Sequence, residues 1–228
     1  MLKIYLVRHG QASFDKDDYD ALSGIGQTQA RRLGAFLAAQ GIHFDGVICG
    51  AMLRHRQTLD NIQQGMGAPL PEVQEDARWN EYDHHNILAA LDPDFANAQT
   101  MRRKLKGLEN PQQAFKETFV QAVNRWVEGH DDDNYLESWP QFQTRVANAL
   151  ERACEHAGKR LLVVTSGGPI SVLAQSLLGM QPKGFLQLNW ILANAGVSRL
   201  LKGRNGLRLS TLNDYSAFDG EENLITYK

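Results

Sequence analysis

The chain has 228 residues, 43% of them hydrophobic, enough for one sizeable core with room for an inserted subdomain. A net charge of −2 leaves no basic footprint for nucleic acid or an anionic membrane, and no apolar run reaches the roughly eighteen residues of a membrane span. Only two cysteines occur, Cys49 and Cys154, each in an apolar stretch, which reads as packed, reduced thiols of a cytoplasmic protein without a Cys-x-x-Cys metal site.

In chain order, Leu2 to Val7 is apolar at five of six positions and predicts a buried strand. The chain enters it at once, without a cationic-then-apolar leader. Arg8, His9 and Gly10 fall where that strand ends, on the edge where open α/β sheets bind ligands. Arg8 offers a charged fork for phosphate or carboxylate oxygens, and His9 is suited to nucleophilic or proton-transfer work near neutral pH. Gly10 lets the backbone turn closely. Residues Ala12–Ala21, with Asp15, Asp17, Asp18 and Asp20, read as an acidic surface loop. Ser23 is the expected N-cap of a helix reaching about Gln40, with Ala30, Leu33, Phe36 and Leu37 as its apolar stripe. Phe44–Cys49 predicts a second strand, giving a parallel βαβ unit.

A second helix starting near Ala51 or Met52 places Arg54 at its N-terminus, within reach of an anion at the strand end. Val73–Glu75 is a short edge segment. In Arg78–His85, Glu81 lies between Trp79 and Tyr82, whose rings can raise a carboxyl pKa toward general-acid duty. The adjacent His84 and His85 are expected to point apart, which argues against a metal pair. Helices follow over Asn86–Leu91, Asp94–Lys106 and Pro111–Glu128, and Ser138 is expected to cap another to about His156. Lys159–Thr165 is the clearest core strand. Ser166-Gly167-Gly168 after it can turn backbone N–H groups toward an anion, with a helix continuing from Ile170 to Leu178. Val197–Leu201 and Leu207–Leu212 predict a hairpin about Gly203–Gly206, and the polar tail Asn213–Lys228 is expected to drape over the surface.

Taken together, Arg8-His9-Gly10, Leu22-Ser23 through Gly26 and Gln29, Leu53-Arg54 with Gln57-Thr58, Glu81 after Trp79-Asn80, Glu137-Ser138 with Arg145, and the Leu162–Thr165 strand resemble the histidine phosphatase superfamily, also called phosphoglycerate-mutase-like. The matches run in order along most of the chain. Two positions depart from its pattern: Ser166 stands where a second histidine is usual, and Asp15 where many members have asparagine. The resemblance implies a three-layer α/β/α fold with a mostly parallel central sheet and an inserted helical cap, residues 1–228 forming a single domain with the cap at about 84–135.

It also implies a phosphomonoester hydrolase in which His9 accepts the phosphoryl group as phosphohistidine. Glu81 is then the acid and base, and Arg8, Arg54, Ser166 and Gly167 hold the phosphate. No metal or organic cofactor is called for, and the partner is a small phosphorylated substrate. Cationic Arg8 is expected to keep His9 neutral. Ser166 supplies no charge, so turnover is expected to be slow unless His55, His84 or His85 fills the vacancy, and exchanging Ser166 for histidine is expected to raise it. Two alternatives remain. One is a mutase, for which Arg102-Arg103 would bind an acidic substrate. The other is a non-catalytic module that binds a phosphorylated ligand.

Overall fold

The computed structural model describes residues 1–13 and 20–227, so the expectations for Asp15, Asp17 and Asp18 fall outside the described residues. Strand β1 (Leu2–Arg8) is apolar on both faces, and the two-residue period of a strand sorts its side chains. Ile4 and Leu6 enter one apolar cluster, Tyr5 and Val7 another. Strand β4 (Arg160–Thr165) repeats the pattern, with Leu161 and Val163 on the first side and Leu162 and Val164 on the second. Both strands therefore demand cover above and below, which defines the three layers.

With β2 (Gly46–Cys49), β3 (Val73–Glu75), β5 (Val197–Gly203) and β6 (Gly206–Asp214), these strands form a six-stranded sheet in the order β3-β2-β4-β1-β5-β6. β1, β4, β2 and β3 are parallel; β5 runs antiparallel to β1, and β6 antiparallel to β5. The second strand is shorter than expected: Phe44 precedes it and packs edge-on against Tyr5.

Helices α1 (Gly24–Ala39) and α2 (Leu53–Met66) cover the Tyr5 and Val7 face. Ser23 caps α1, its hydroxyl accepting from the Gly26 N–H at 3.0 Å. The two helices cross through glycines: a Cβ at Gly34 would lie 2.1 Å from the Ile62 carbonyl oxygen, and one at Gly65 would lie 2.0 Å from that of Arg31. Close approach, not backbone conformation, is what these positions require.

The opposite face is covered by α6 (Trp139–Cys154), α7 (Gly167–Leu177) and α8 (Gly184–Ile191). It shares an apolar cluster with residues of α3 (His84–Leu91) and α5 (Pro111–Val127), and α4 (Ala98–Leu105) lies between those two in sequence. No helix among the described residues is long and apolar enough to cross a membrane.

Two expectations need correction, and one helix had none. Helix α7 begins at Gly167, so the glycines form its first turn and not a loop ahead of it. Helix α8 was not anticipated: it opens on Lys183 without a side-chain cap, so it carries no start signal, yet it buries Phe185, Leu186 and Leu188. The tail is not a surface drape. Phe218 is fully buried, Leu224 joins the core, and Gln29 Nε2 donates to the Leu224 carbonyl at 2.7 Å.

Candidate active site

The carboxyl ends of β1, β2 and β4 lie side by side, bringing Arg8-His9, Gly50 and Thr165-Ser166 to one edge of the sheet. His9 is fixed on its main chain from two directions. Its N–H donates to the Thr165 carbonyl at 2.9 Å, and its carbonyl accepts from Ala195 N–H and Asn194 Nδ2, each at 3.2 Å. Ala195 reaches that position at φ +54°, a left-handed conformation that a non-glycine residue adopts only under constraint.

Gly10 N–H donates to Thr58 Oγ1 at 3.0 Å, and Gln11 N–H to Gln29 Oε1 at 2.9 Å, so the turn is laced to α2 and α1. Gly10 is required by space: a Cβ there would lie 2.4 Å from the Gly26 carbonyl oxygen.

The His9 ring is buried, only 6% exposed, with Nδ1 2.7 Å from the Gly10 carbonyl oxygen. A carbonyl can only accept, so Nδ1 carries the proton and Nε2 keeps the lone pair. Burial first, then the charges of Arg54 and Arg8, hold the ring's pKa well below the ordinary histidine value. The imidazole is therefore neutral, but the order of causes differs from the expectation: burial outranks both guanidinium groups, and Arg54 outranks Arg8.

Arg8 continues the alternation of β1 toward α7 and α8. Its Nη1 donates to the Leu192 carbonyl and, at 3.5 Å, to that of Tyr227, while Nε is buried without a hydrogen-bond partner among the described residues. Burial lowers its pKa to about 10, with Glu81 opposing the shift, and it stays charged at neutral pH. Arg54, the second residue of α2, is also buried. Its Nη1 meets Asp20 Oδ1 at 2.5 Å, while Asp20 Oδ2 accepts from Leu53 N–H at 2.7 Å. Asp20 is thus not a solvated member of an acidic loop. It closes the start of α2, where a carboxylate is favoured by the helix dipole, and holds the guanidinium in place.

Glu81 faces the first turn of α7 from the other side. Both its oxygens lie 3.1 Å from Gly168 N–H, and a Cβ at Gly168 would fall 2.0 Å from Oε1. Burial raises its pKa against the pull of Arg54, the Gly168 N–H and Arg8. The segment carrying it is anchored by Arg145, whose Nη1 donates to the Arg78 and Asn80 carbonyls at 2.7 and 2.9 Å. The rest of the Arg145 fork grips Glu137 at 2.6 and 2.9 Å. Thr165 Oγ1 adds a bond to the Trp79 carbonyl at 2.6 Å.

Ser166 is fully buried, and its Oγ lies 2.7 Å from Nε2 of His55, itself fully buried. The His55 and His9 rings are 5.7 Å apart between centroids. Burial and then Arg54 push His55 down to about 3, so it too is neutral. Gly167 sits against Arg8, where a Cβ would come 3.5 Å from Nε. His84 and His85 do not diverge as expected: their rings stack at 4.1 Å. Of the residues singled out in the sequence, Arg8, His9, Arg54, Glu81, Ser166 and Gly167 thus come together, joined by His55. Asp20 and the Tyr227 carbonyl were missed, the first being read as one more acid in a polar loop. His55 adjoins Arg54 in sequence, but only the fold turns it onto Ser166.

A mixed α/β sheet with a buried neutral imidazole, two guanidinium groups and a carboxyl at its carboxyl edge defines a site for phosphoryl chemistry. The sequence profile of the histidine phosphatase superfamily (branch 1) matches residues 4–215, and the chain belongs to that superfamily. It is 26% identical over 199 residues to the 2,3-bisphosphoglycerate-dependent phosphoglycerate mutase of Azorhizobium caulinodans, covering 81% of this chain and 85% of the mutase. In fold it resembles the α-ribazole phosphatase of Shigella flexneri, with a TM-score of 0.65 at 20% identity over 94% of this chain and 97% of that one. It also resembles the phosphoserine phosphatase of Entamoeba histolytica, with a TM-score of 0.61 at 19% identity over 94% and 98%.

Proposed function

We propose that the protein is a phosphomonoesterase that works through a phosphohistidine on His9. The observation that carries this reading is the Nδ1 contact with the Gly10 carbonyl, which leaves Nε2 of a neutral ring as a nucleophile. Nε2 attacks phosphorus, and the ester P–O bond breaks with its electron pair going to the departing alkoxide. Protonated Glu81 gives that alkoxide its proton; burial favours the protonated carboxyl this step needs. Water then attacks phosphorus as Glu81 takes its proton, the P–N bond breaks, and inorganic phosphate leaves.

Arg8 and Arg54 gather charge on the equatorial oxygens, with Ser166 and Gly167 beside them at the start of α7. For Arg54 this means exchanging Asp20 for substrate. The segment at about 84–135, with its helices, forms the cap of a single domain and selects a small phosphorylated substrate. The two free thiols fit a reducing, cytoplasmic setting.

Mutase activity is the second reading, favoured by the curated relative's name: the same phosphohistidine would return its phosphoryl group to the substrate. The test is labelling with a 32P-phosphomonoester. A base-stable, acid-labile phosphoprotein, lost in His9→Ala, with release of free phosphate is expected. An isomerised phosphoacid in place of phosphate selects the mutase. A rise in Tm with vanadate but no label and no turnover makes the protein a binding module and ends the proposal.

A further inference from the structure

Strand β6 bulges opposite Ser198. β5 pairs Val197 with Asp214 and Arg199 with Thr211, so β6 carries one residue more than β5 across that step. Asn213 sits in the bulge at φ +57°, a left-handed conformation that asparagine tolerates better than most side chains, and its N–H donates to Ser198 Oγ at 3.1 Å. The side chain grips the chain that links α8 to β5. Its Nδ2 donates to the Ile191 carbonyl at 2.6 Å, and its Oδ1 accepts from Ala193 N–H at 2.7 Å. A carbonyl can only accept and a main-chain N–H only donate, so these partners fix the orientation of the amide. Gly196 leaves room for it: a Cβ there would lie 2.8 Å from Asn213 Oδ1.

Between the two gripped residues lies Leu192, which is buried and whose carbonyl accepts from Arg8 Nη1. The other contact of Nη1, with the Tyr227 carbonyl, is long at 3.5 Å, so Leu192 is its main anchor. A guanidinium is a rigid planar fork, and tying down Nη1 therefore sets where Nε points. Nε is buried without a partner among the described residues and faces the first turn of α7, where a Cβ at Gly167 would lie 3.5 Å from it. A buried donor left unpaired in this way is held for an acceptor that arrives with the substrate.

We propose that Asn213 is a positioning residue: by clamping Ile191 and Ala193 it fixes the Leu192 carbonyl, which aims Arg8 Nε at a phosphoryl oxygen held at His9. This rests on the function proposed above and adds to it a residue that acts through Leu192 and Arg8.

The test measures kcat/KM on p-nitrophenyl phosphate, the Kd of orthovanadate and Tm for Asn213→Gly, Asn213→Asp, Arg8→Lys and Asn213→Gly/Arg8→Lys. Glycine keeps the left-handed backbone and removes the clamp. It is expected to lower kcat/KM and vanadate affinity by about 10- to 100-fold each, the scale of a misplacement of about 1 Å at a reacting group. Asn213→Asp keeps the bond to Ala193 N–H but turns a carboxylate toward the Ile191 carbonyl, and should lose a similar amount. An ammonium has no fork to aim, so adding Asn213→Gly to Arg8→Lys should lower neither quantity further, while Tm falls as it does in the single variant. Equal losses in both backgrounds, or Asn213→Gly with wild-type kcat/KM and vanadate affinity, would overturn the proposal.

If the Asn213 variants fail to fold, NMR of the wild-type protein decides. The Arg8 Nε–H resonance, identified by its absence in Arg8→Lys, should shift when orthovanadate is added, and an unmoved resonance at saturating vanadate refutes the aim of Nε. A wild-type protein that binds vanadate but neither labels on His9 nor releases phosphate refutes the parent function, while the vanadate Kd and the Nε–H resonance still judge the clamp.

Discussion

Replacing Gly168 by alanine probes whether Glu81 must sit where α7 holds it. The added Cβ would lie 2.0 Å from Glu81 Oε1 and 2.8 and 3.0 Å from Tyr82 ring carbons. Ordinary contacts of roughly 3.5 Å require the carboxyl to retreat by more than about 1 Å, and a misplacement of that size costs on the order of 10²-fold in rate. Tyr82 cannot give way, since its ring packs at 5.2 Å from that of Trp126, 5.8 Å from Phe142 and 5.9 Å from Phe185. Overpacking costs about 1–3 kcal/mol, and the better helix propensity of alanine returns at most about 1 kcal/mol. A fall in Tm of a few degrees is expected, not loss of the fold. The assay compares kcat/KM, which ends at departure of the leaving group and omits the hydrolysis step common to both, on p-nitrophenyl phosphate, whose leaving group needs little protonation, and on an alkyl phosphate, which needs it fully. The alkyl ester should suffer by about 10²-fold and the aryl ester by much less. Equal losses on both esters would refute the placement of Glu81 as the acid.

Gly65→Ala drives a Cβ against the Arg31 carbonyl, which is main chain and cannot swing aside, so α1 and α2 must separate. A loss at the upper end of about 1–3 kcal/mol is expected in urea unfolding, and an unchanged midpoint would contradict it. Arg145→Leu strips the Arg78 and Asn80 carbonyls and Glu137 of their donor. A loss of about 1–3 kcal/mol should accompany a drop in kcat, and full activity would show that Glu81 is held by other means. Because the folded pKa of His55 is about 3 against 6.5 unfolded, the unfolded chain alone takes up this proton as pH falls below 6.5. Stability then declines by up to about 1.4 kcal/mol per pH unit from this residue, so His55→Gln should flatten the acid limb of the unfolding free energy between pH 6 and 4; parallel curves would refute this. Ser166→His, expected from sequence to raise turnover, meets the His55 ring at 2.7 Å from the existing hydroxyl. It should lower Tm through overpacking of about 1–3 kcal/mol without raising kcat, and a faster, equally stable variant would overturn that view.

What the amino-acid order determined by itself was local. The doubly apolar strands Leu2–Val7 and Leu161–Val164 required cover on both faces, and Ser23 and Pro111 marked helix starts that the structure keeps. Arg8, His9, Arg54 and Glu81 were legible because each sits at a strand end, a helix start or among aromatic residues. Helix α8, the buried tail and the pairing of Asp20 with Arg54 depended on contacts across distant stretches of chain, which no local period records. The same holds for His55. Its spacing from Ser166 along the chain says nothing, since the two meet only because β4 inserts between β1 and β2 and carries Ser166 under the first turn of α2. Tertiary structure decided as well which charges are felt. The depressed His9 and raised Glu81 pKa values arise first from burial, a property of the packed fold and not of the neighbouring residues in sequence.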